Sequence, residues 1–219
     1  MTIRNISVIV TIFTTLLLNT CKALKENSLK ITITRRGDLA NVTLFNFTDS
    51  NTTAFENWTE ISDATLIGGR SKTALVRLEG QNYQSAIFFY LLTPPPNGSS
   101  FAGVPRIVAD GVLPAYDGVL IDLHKQGPHS HFELFVYEKG SNIQYETIFE
   151  TSGKRQQIKL PFGSFTSCCC ETPHHVSTLS DVSKISRIGI KAHELTNQSG
   201  PGAVEIFPIL TYKKNQMPV

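Results

Sequence analysis

The chain has 219 residues, a formal net charge of +2, and 41% hydrophobic against 17% charged residues. That balance supplies a real core and excludes a disordered chain. Basic residues cluster only as the pairs Arg35-Arg36 and Lys213-Lys214, and no nucleic-acid-binding motif accompanies them, so nucleic acid is excluded as a partner.

In chain order, the first predicted element is a leader. Arg4 precedes an apolar run from Ile6 to Leu18, followed by the small and polar stretch Asn19-Thr20-Cys21-Lys22-Ala23. This order of basic, apolar and small-residue regions predicts a secretory signal peptide over residues 1–23, leaving about 196 residues, the size of one domain. The run is shorter than the roughly 20 apolar residues of a membrane-spanning helix. A single Arg before Ala23 is too few for a mitochondrial presequence. No second apolar stretch follows, and the tail from Lys213 to Val219 is not a lipid-anchor signal, so no membrane span is expected after cleavage.

Six N-glycosylation sequons agree with a secreted, extracellular address: Asn41, Asn46, Asn51, Asn57, Asn97 and Asn197. Bulky Trp58 sits inside the Asn57 sequon and weakens it. The Asn- and Thr-rich stretch from Asn41 to Asn57 is expected to be an exposed, glycan-bearing arm.

Short β-type runs then recur to the end of the chain. Leu29 to Thr34 alternates apolar and polar residues, the period of a half-buried strand. Further runs are Val42 to Phe47, Ala86 to Leu92, Gly118 to Leu123, Phe132 to Tyr137, Tyr145 to Phe149, Gln156 to Leu160, Ile185 to Ile190 and Val204 to Tyr212. Pro- and Gly-rich turns separate them, and Tyr137 to Tyr145 reads as a hairpin turning at Gly140 to Asn142. No long amphipathic helix interrupts the series. The fold class expected is all-β, an antiparallel sandwich or jelly roll. Its organisation is a 1–23 leader, a 24–54 strand and arm, and one sandwich domain over 55–213.

Four motifs in order carry a family resemblance. They are Phe55-Glu-Asn-Trp58 with Asp63 and Gly68-Gly69-Arg-Ser71; Tyr116-Asp117-Gly118; Pro161-Phe162-Gly-Ser-Phe165; and the closing strands from Ile185 and from Gly202. Over about Phe55 to Tyr212 the chain resembles the complex I intermediate-associated protein 30 family. The resemblance implies a galactose-binding-like sandwich and a chaperone-like role in assembling mitochondrial complex I. Three features depart from it: the secretory leader, Ala64 in place of a second Asp, and Ile67 in place of Met. A secreted member that kept the fold and lost the mitochondrial role accounts for all three.

Several constellations have both a chemical and a plainer reading. Cys168, Cys169 and Cys170 are an odd number once Cys21 is removed, which points to an intermolecular disulfide and a linked dimer, or to an exposed loop without a designed role. Adjacent cysteines lie about 3.8 Å apart at Cα, too close for an unstrained bridge, so a Cys168–Cys170 pair needs a tight turn. His174-His175 beside the triplet lacks the spaced-pair geometry of a zinc site. His124, His129 and His131 read as surface histidines before they read as ligands. Gly68-Gly69-Arg70-Ser71 lacks the spacing of a phosphate loop and reads as a turn. Glu133, Glu138, Glu146 and Glu150 serve as a glycosidase pair only if two of them face each other across a cleft. Among Phe55, Trp58, Tyr83, Phe88, Phe89 and Tyr90, packing is the plainer role and sugar stacking the sharper one. The family-motif residues read as structural. No catalytic or metal site is declared and no cofactor is expected; the function expected is non-enzymatic binding of a protein or glycan partner.

Overall fold

The computed structural model describes residues 41–66, 68–94, 100–141, 143–167, 177–193 and 199–213. The chain divides into two units, Met1–Thr32 and Ile33–Val219, and every described residue belongs to the second. The leader, the Leu29–Thr34 run, Ile67, Asn97, Asn197, the Cys168–Cys170 triplet and His174-His175 lie outside the described residues.

Among the described residues twelve strands form two antiparallel sheets: β1 (Thr43–Asn46), β2 (Ile61–Ser62), β3 (Lys72–Gly80), β4 (Tyr83–Leu92), β5 (Phe101–Ile107), β6 (Gly118–Gln126), β7 (His131–Glu138), β8 (Gln144–Glu150), β9 (Gln156–Pro161), β10 (Thr166–Ser167), β11 (Ile185–His193) and β12 (Gly200–Tyr212). The first sheet runs β3-β4-β12-β6-β9, with β1 also paired to β12; the second runs β10-β8-β7-β11-β5-β2. This is the antiparallel β-sandwich that the strand pattern predicts.

Side chains on successive strand residues point to opposite faces, and the burial follows that rule. On β4, Ala86, Phe88, Tyr90 and Leu92 enter the core, while Phe89 and Leu91 are exposed. Phe132, Leu134 and Val136 of β7 meet Ile188 and Ile190 of β11 inside, opposite Ile121 of β6 and Val204 and Ile206 of β12. Each fully buried side chain of this size contributes about 1.5–3 kcal/mol, so the interlayer core holds the sheets together.

Four described strands escape the periodicity reading: β2 and β10 are two residues each, and the longer two are β3 and β5. The β3 sequence Lys-Thr-Ala-Leu-Val-Arg-Leu-Glu-Gly sits at the edge of its sheet with most residues exposed, so it shows little apolar alternation. Strand β5 contains Gly103 and Pro105, both strand-weakening signals; Pro105 lies beyond the two residues that β2 pairs with, where its missing N–H is tolerated. The hairpin from Tyr137 to Tyr145 is present, with Gly140 at φ +74°.

The expected arm is largely part of the sandwich. Val42, Leu44, Phe45 and Phe47 are buried, and β1 pairs with β12. The Gln84 amide donates to the Phe47 and Asp49 carbonyls at 2.9 Å each. Trp58 packs against Phe45 and Phe47 and donates its indole N–H to the Ala54 carbonyl at 2.7 Å. The sandwich therefore begins ahead of Phe55. Apolar residues interleaved with the sequons explain the difference: Asn41, Thr48, Asn51 and Thr53 are exposed, while Leu44, Phe45 and Phe47 between them are buried.

Candidate functional site

The family-motif residues build turns rather than a cleft. Buried Asp63 opens a single helical turn, α1 (Asp63–Leu66), and its carboxylate accepts the Ser71 N–H at 2.8 Å and the Ser71 hydroxyl at 2.6 Å. The Ser71 Oγ in turn accepts the Thr93 N–H at 3.0 Å, tying the loop to the end of β4. Gly68 adopts φ +75°, and a Cβ on Gly69 would lie 2.3 Å from the Asp63 carboxylate. The Asp–Gly-Gly–Ser pattern is thus a latch closed by one carboxylate, and both glycines are needed for it.

The other motifs are similar. A Cβ on Gly118 would meet the Leu160 carbonyl at 2.4 Å, because β6 lies tight between β9 and the Tyr212 ring. Asp117 brackets this point through its backbone, donating to Tyr212 and accepting from Phe162, each at 2.9 Å. Half-buried Tyr116 packs against the core. After Pro161, Phe162 and Phe165 bury their rings 6.1 Å apart across a 3-10 turn. Phe55 packs on Phe47 and carries the Arg77 guanidinium at 4.6 Å from its ring centroid.

Among the sequons, Asn41, Asn51 and Asn57 are exposed, and Asn57 takes φ +62°. Asn46 is half-buried in β1, its side-chain oxygen accepting from the Thr48 N–H and hydroxyl.

The histidines separate. Buried His129 shares a 2.9 Å hydrogen bond with the Tyr90 hydroxyl, and burial lowers its pKa. His131 is half-exposed at the start of β7, and His124 lies on the outer face of the first sheet. Among the described residues no cluster of three His, Cys, Asp or Glu side chains could hold a metal ion.

Polar side chains collect instead on the two outer faces. On the second sheet, Glu133 and Glu146 converge on Lys191 at 2.5 and 2.9 Å, and His193 approaches the second Glu133 oxygen at 3.1 Å. Burial pushes the Glu133 carboxyl up, but the His193 hydrogen bond and the Lys191 charge outweigh it and hold the carboxyl below its ordinary value. Lys191 responds in kind: burial opposes its charge, and the two carboxylates more than restore it. The pair of glutamates that faces each other therefore faces across an ammonium, and Glu138 pairs with Lys184 instead.

On the first sheet, register places Val76, Ile87, Glu205 and His124 in one row across β3, β4, β12 and β6. Ala74, Phe89, Ala203 and Gln126 form the next row. Directly opposed residues share a face, so this face is divided lengthwise. Its β3–β4 half is apolar, with Val76, Leu78, Tyr83, Phe89 and Leu91 each 40–49% exposed. Its β6–β9 half carries His124, Gln126, Asp122, Arg155 and Gln157. Strand β12 is the seam between them.

Glu205 occupies the seam, 4% exposed. One oxygen accepts the Ser85 hydroxyl at 2.7 Å; the other lies 3.3 Å from the Gln126 amide and 3.5 Å from His124. Burial raises its pKa, and no opposing charge is strong enough to reverse that. Beside it, Arg155 donates to both oxygens of Asp122 at 3.0 Å while stacking 3.5 Å from the Phe207 ring centroid. The face thus offers aromatic and aliphatic surface on one side, and fixed donors and acceptors on the other.

The sequence profile of the complex I intermediate-associated protein 30 family matches residues 45–206. The chain belongs to that family. The match begins inside β1, in keeping with a sandwich that starts before Phe55. No curated protein matches the chain in sequence. Among solved structures, the family 11 carbohydrate-binding module of a Clostridium thermocellum cellulosomal cellulase aligns with a TM-score of 0.59 at 15% identity, covering 84% of this chain and 100% of that one. The family 11 module from Clostridium thermocellum in complex with a β-1,3-1,4-mixed-linked tetrasaccharide gives 0.58 at 16%, covering 78% and 97%. The agarase AgWH50C gives 0.50 at 12% identity, with 82% of this chain covering 25% of that enzyme. These likenesses show the shared fold.

Sequence reasoning singled out Tyr83 and Phe89 among six aromatics as either core or platform. Phe88 and Tyr90 are core; Tyr83 and Phe89 stand exposed on the divided face. Glu205, Asp122, Arg155 and Gln126 were not singled out. For Glu205 and Asp122 the signal was present as a polar residue inside an otherwise apolar strand, Val-Glu-Ile in β12 and Ile-Asp-Leu in β6; Arg155, ahead of β9, and Gln126, at the polar end of β6, left none.

Proposed function

We propose that this member of the complex I intermediate-associated protein 30 family is a secreted, N-glycosylated sandwich that binds a glycan partner, or failing that a protein, through the outer face of its first sheet, and that it catalyses no reaction. The observation that carries the reading is the division of that face. A sugar ring has an apolar C–H side and an equatorial rim of hydroxyls, and it matches a surface with Phe89 and Tyr83 on one side and Glu205 and Gln126 on the other. The Clostridium thermocellum module in complex with a tetrasaccharide is a precedent for ligand binding by the same fold. Leader and sequons support the extracellular address.

Family membership favours a second reading, a chaperone-like assembly factor for mitochondrial complex I. One experiment separates the two. The full-length chain with a C-terminal tag is expressed in a eukaryotic cell, and medium and mitochondria are collected separately. Gel mobility is then compared with and without a glycan-removing enzyme. Protein in the medium that shifts on deglycosylation supports the secreted reading. Unshifted protein, protected from protease inside mitochondria, sinks it and favours the assembly factor.

A further inference from the structure

The cations on the first sheet's outer face are already committed. Arg155 gives both of its hydrogen bonds to Asp122 and its plane to Phe207. Lys159 lies over the Tyr212 ring at 5.4 Å, and Lys72 at the β3 edge is 3.6 Å from Glu60. At the seam stands Glu205, a buried acceptor whose neighbours are a hydroxyl, an amide and an imidazole.

A ligand laid along β12 with its apolar side on Phe89 therefore presents its polar rim to a carboxylate. Hydroxyl donors satisfy that carboxylate, and a charge-assisted O–H···O⁻ bond is stronger than a neutral one. An anionic group placed there meets the like charge of Glu205 in a site already short of water, and Arg155, Lys159 and Lys72 are each held elsewhere. The direct partner of Glu205 on β6, His124, is side by side with it and offers at most one charge.

Resting on the reading that this face binds a glycan, we infer that the ligand is a neutral oligosaccharide rather than a sialylated, sulfated or uronate-bearing one, and that Glu205 is its specificity-determining hydroxyl acceptor. Ser85 fixes one carboxylate oxygen in place and leaves the other, shared with Gln126, to face the ligand. Phe89, exposed on β4 one row away, supplies the stacking surface.

The test uses the full-length secreted protein on an array of neutral glucose-, galactose- and mannose-based oligosaccharides, each paired with sialylated, sulfated or uronate-containing counterparts. Neutral members are expected to bind, and their charged counterparts to bind at least tenfold more weakly. Glu205→Gln, checked for a cooperative thermal melt no lower than that of wild type, is expected to weaken neutral binding about tenfold and to narrow the gap to charged glycans. Gln126→Ala, at an exposed position, gives the same kind of readout should Glu205→Gln misfold. Equal or tighter binding of charged glycans overturns the assignment while leaving the glycan reading intact. Unchanged neutral binding by both variants removes Glu205 from the site. Silence across the whole array, with the protein folded, overturns the glycan reading itself.

Discussion

Glu133 on the second sheet and Glu205 on the first are both buried carboxylates on faces that point away from the core, and their surroundings differ. Glu133 has Lys191 at 2.5 Å and His193 at 3.1 Å, and Glu146 shares the same ammonium. Glu205 has Ser85, Gln126 and a histidine at 3.5 Å. The second face is built so that its side chains satisfy one another: the Phe135 ring lies against Gly189, and the Lys191 stem lies against Gly103. The first face leaves Tyr83 and Phe89 exposed and its carboxylate under-compensated. A surface with its polar groups saturated holds a sheet together, whereas one with a raised carboxyl beside exposed rings is fitted to take up a partner.

The comparison breaks most visibly at Lys191. Lys191→Met removes the ammonium shared by Glu133 and Glu146 and leaves buried Glu133 and half-buried Glu146 without it. A loss of about 3–5 kcal/mol is expected, read from urea unfolding. Replacing Glu133 by Leu in the same chain is expected to restore a large part of it, because the uncompensated charge goes with its partner. A Lys191→Met protein as stable as wild type would show that the network contributes nothing.

Gly189→Ala tests the other device of the second face. A Cβ there would lie 2.4 Å from the Phe135 ring and 2.6 Å from the Val104 carbonyl, so the ring must lift or the strands part. The expected cost is about 1–3 kcal/mol, visible as a lowered thermal midpoint. Ala203, on β12, occupies a similar mid-sheet place on the first face and already carries a Cβ.

How far these faces were legible in the sequence follows from the same physics. Core strands announce themselves by period, and Ala86 to Leu92, Phe132 to Tyr137 and Ile185 to Ile190 were readable for that reason. Edge strand β3 was not, since its inward face is only half-buried at Thr73 and Leu75 and its outward face carries Ala74, Val76 and Leu78 in place of polar residues. The Asp63–Ser71 latch was visible only as a short motif; that its role is a turn became plain once Gly69 was found against the Asp63 carboxylate. The divided face was invisible. Glu205 and His124 are 81 positions apart in sequence and meet because β12 pairs with β6 in one register. Only the fold brings a row of residues from four strands together, whereas a motif sits within one.

Titration should tell the two glutamates apart in opposite directions. Glu133 is held below the ordinary value of 4.5 when folded, so its contribution is present above that pH and is lost as pH falls through the lowered value. Glu205 is raised above 4.5 when folded; it binds a proton more readily in the native state, so its contribution is lost as pH rises through the raised value. Stability of Glu205→Gln relative to wild type is therefore expected to climb as pH rises from 4.5, and that of Glu133→Gln to fall over the acid side of the same scale. Parallel curves for the two variants, measured by thermal unfolding against pH, would erase the distinction between the faces.

The smallest expected effect is on stability, and its smallness is the point. Phe89 is 49% exposed and its neighbours in the row are Ala74 and Ala203, so Phe89→Ala removes a ring that touches little of the core. Exposed substitutions of this kind stay within about 0.5 kcal/mol. The corresponding truncation on the second face, at wholly buried Phe135, should cost about 3–5 kcal/mol. If Phe89→Ala instead destabilised the fold by as much, its ring would be structural cover like that of Phe135, and the first face would lose its standing as a binding surface. A stable Phe89→Ala protein that no longer captures its partner separates binding from folding at this one residue.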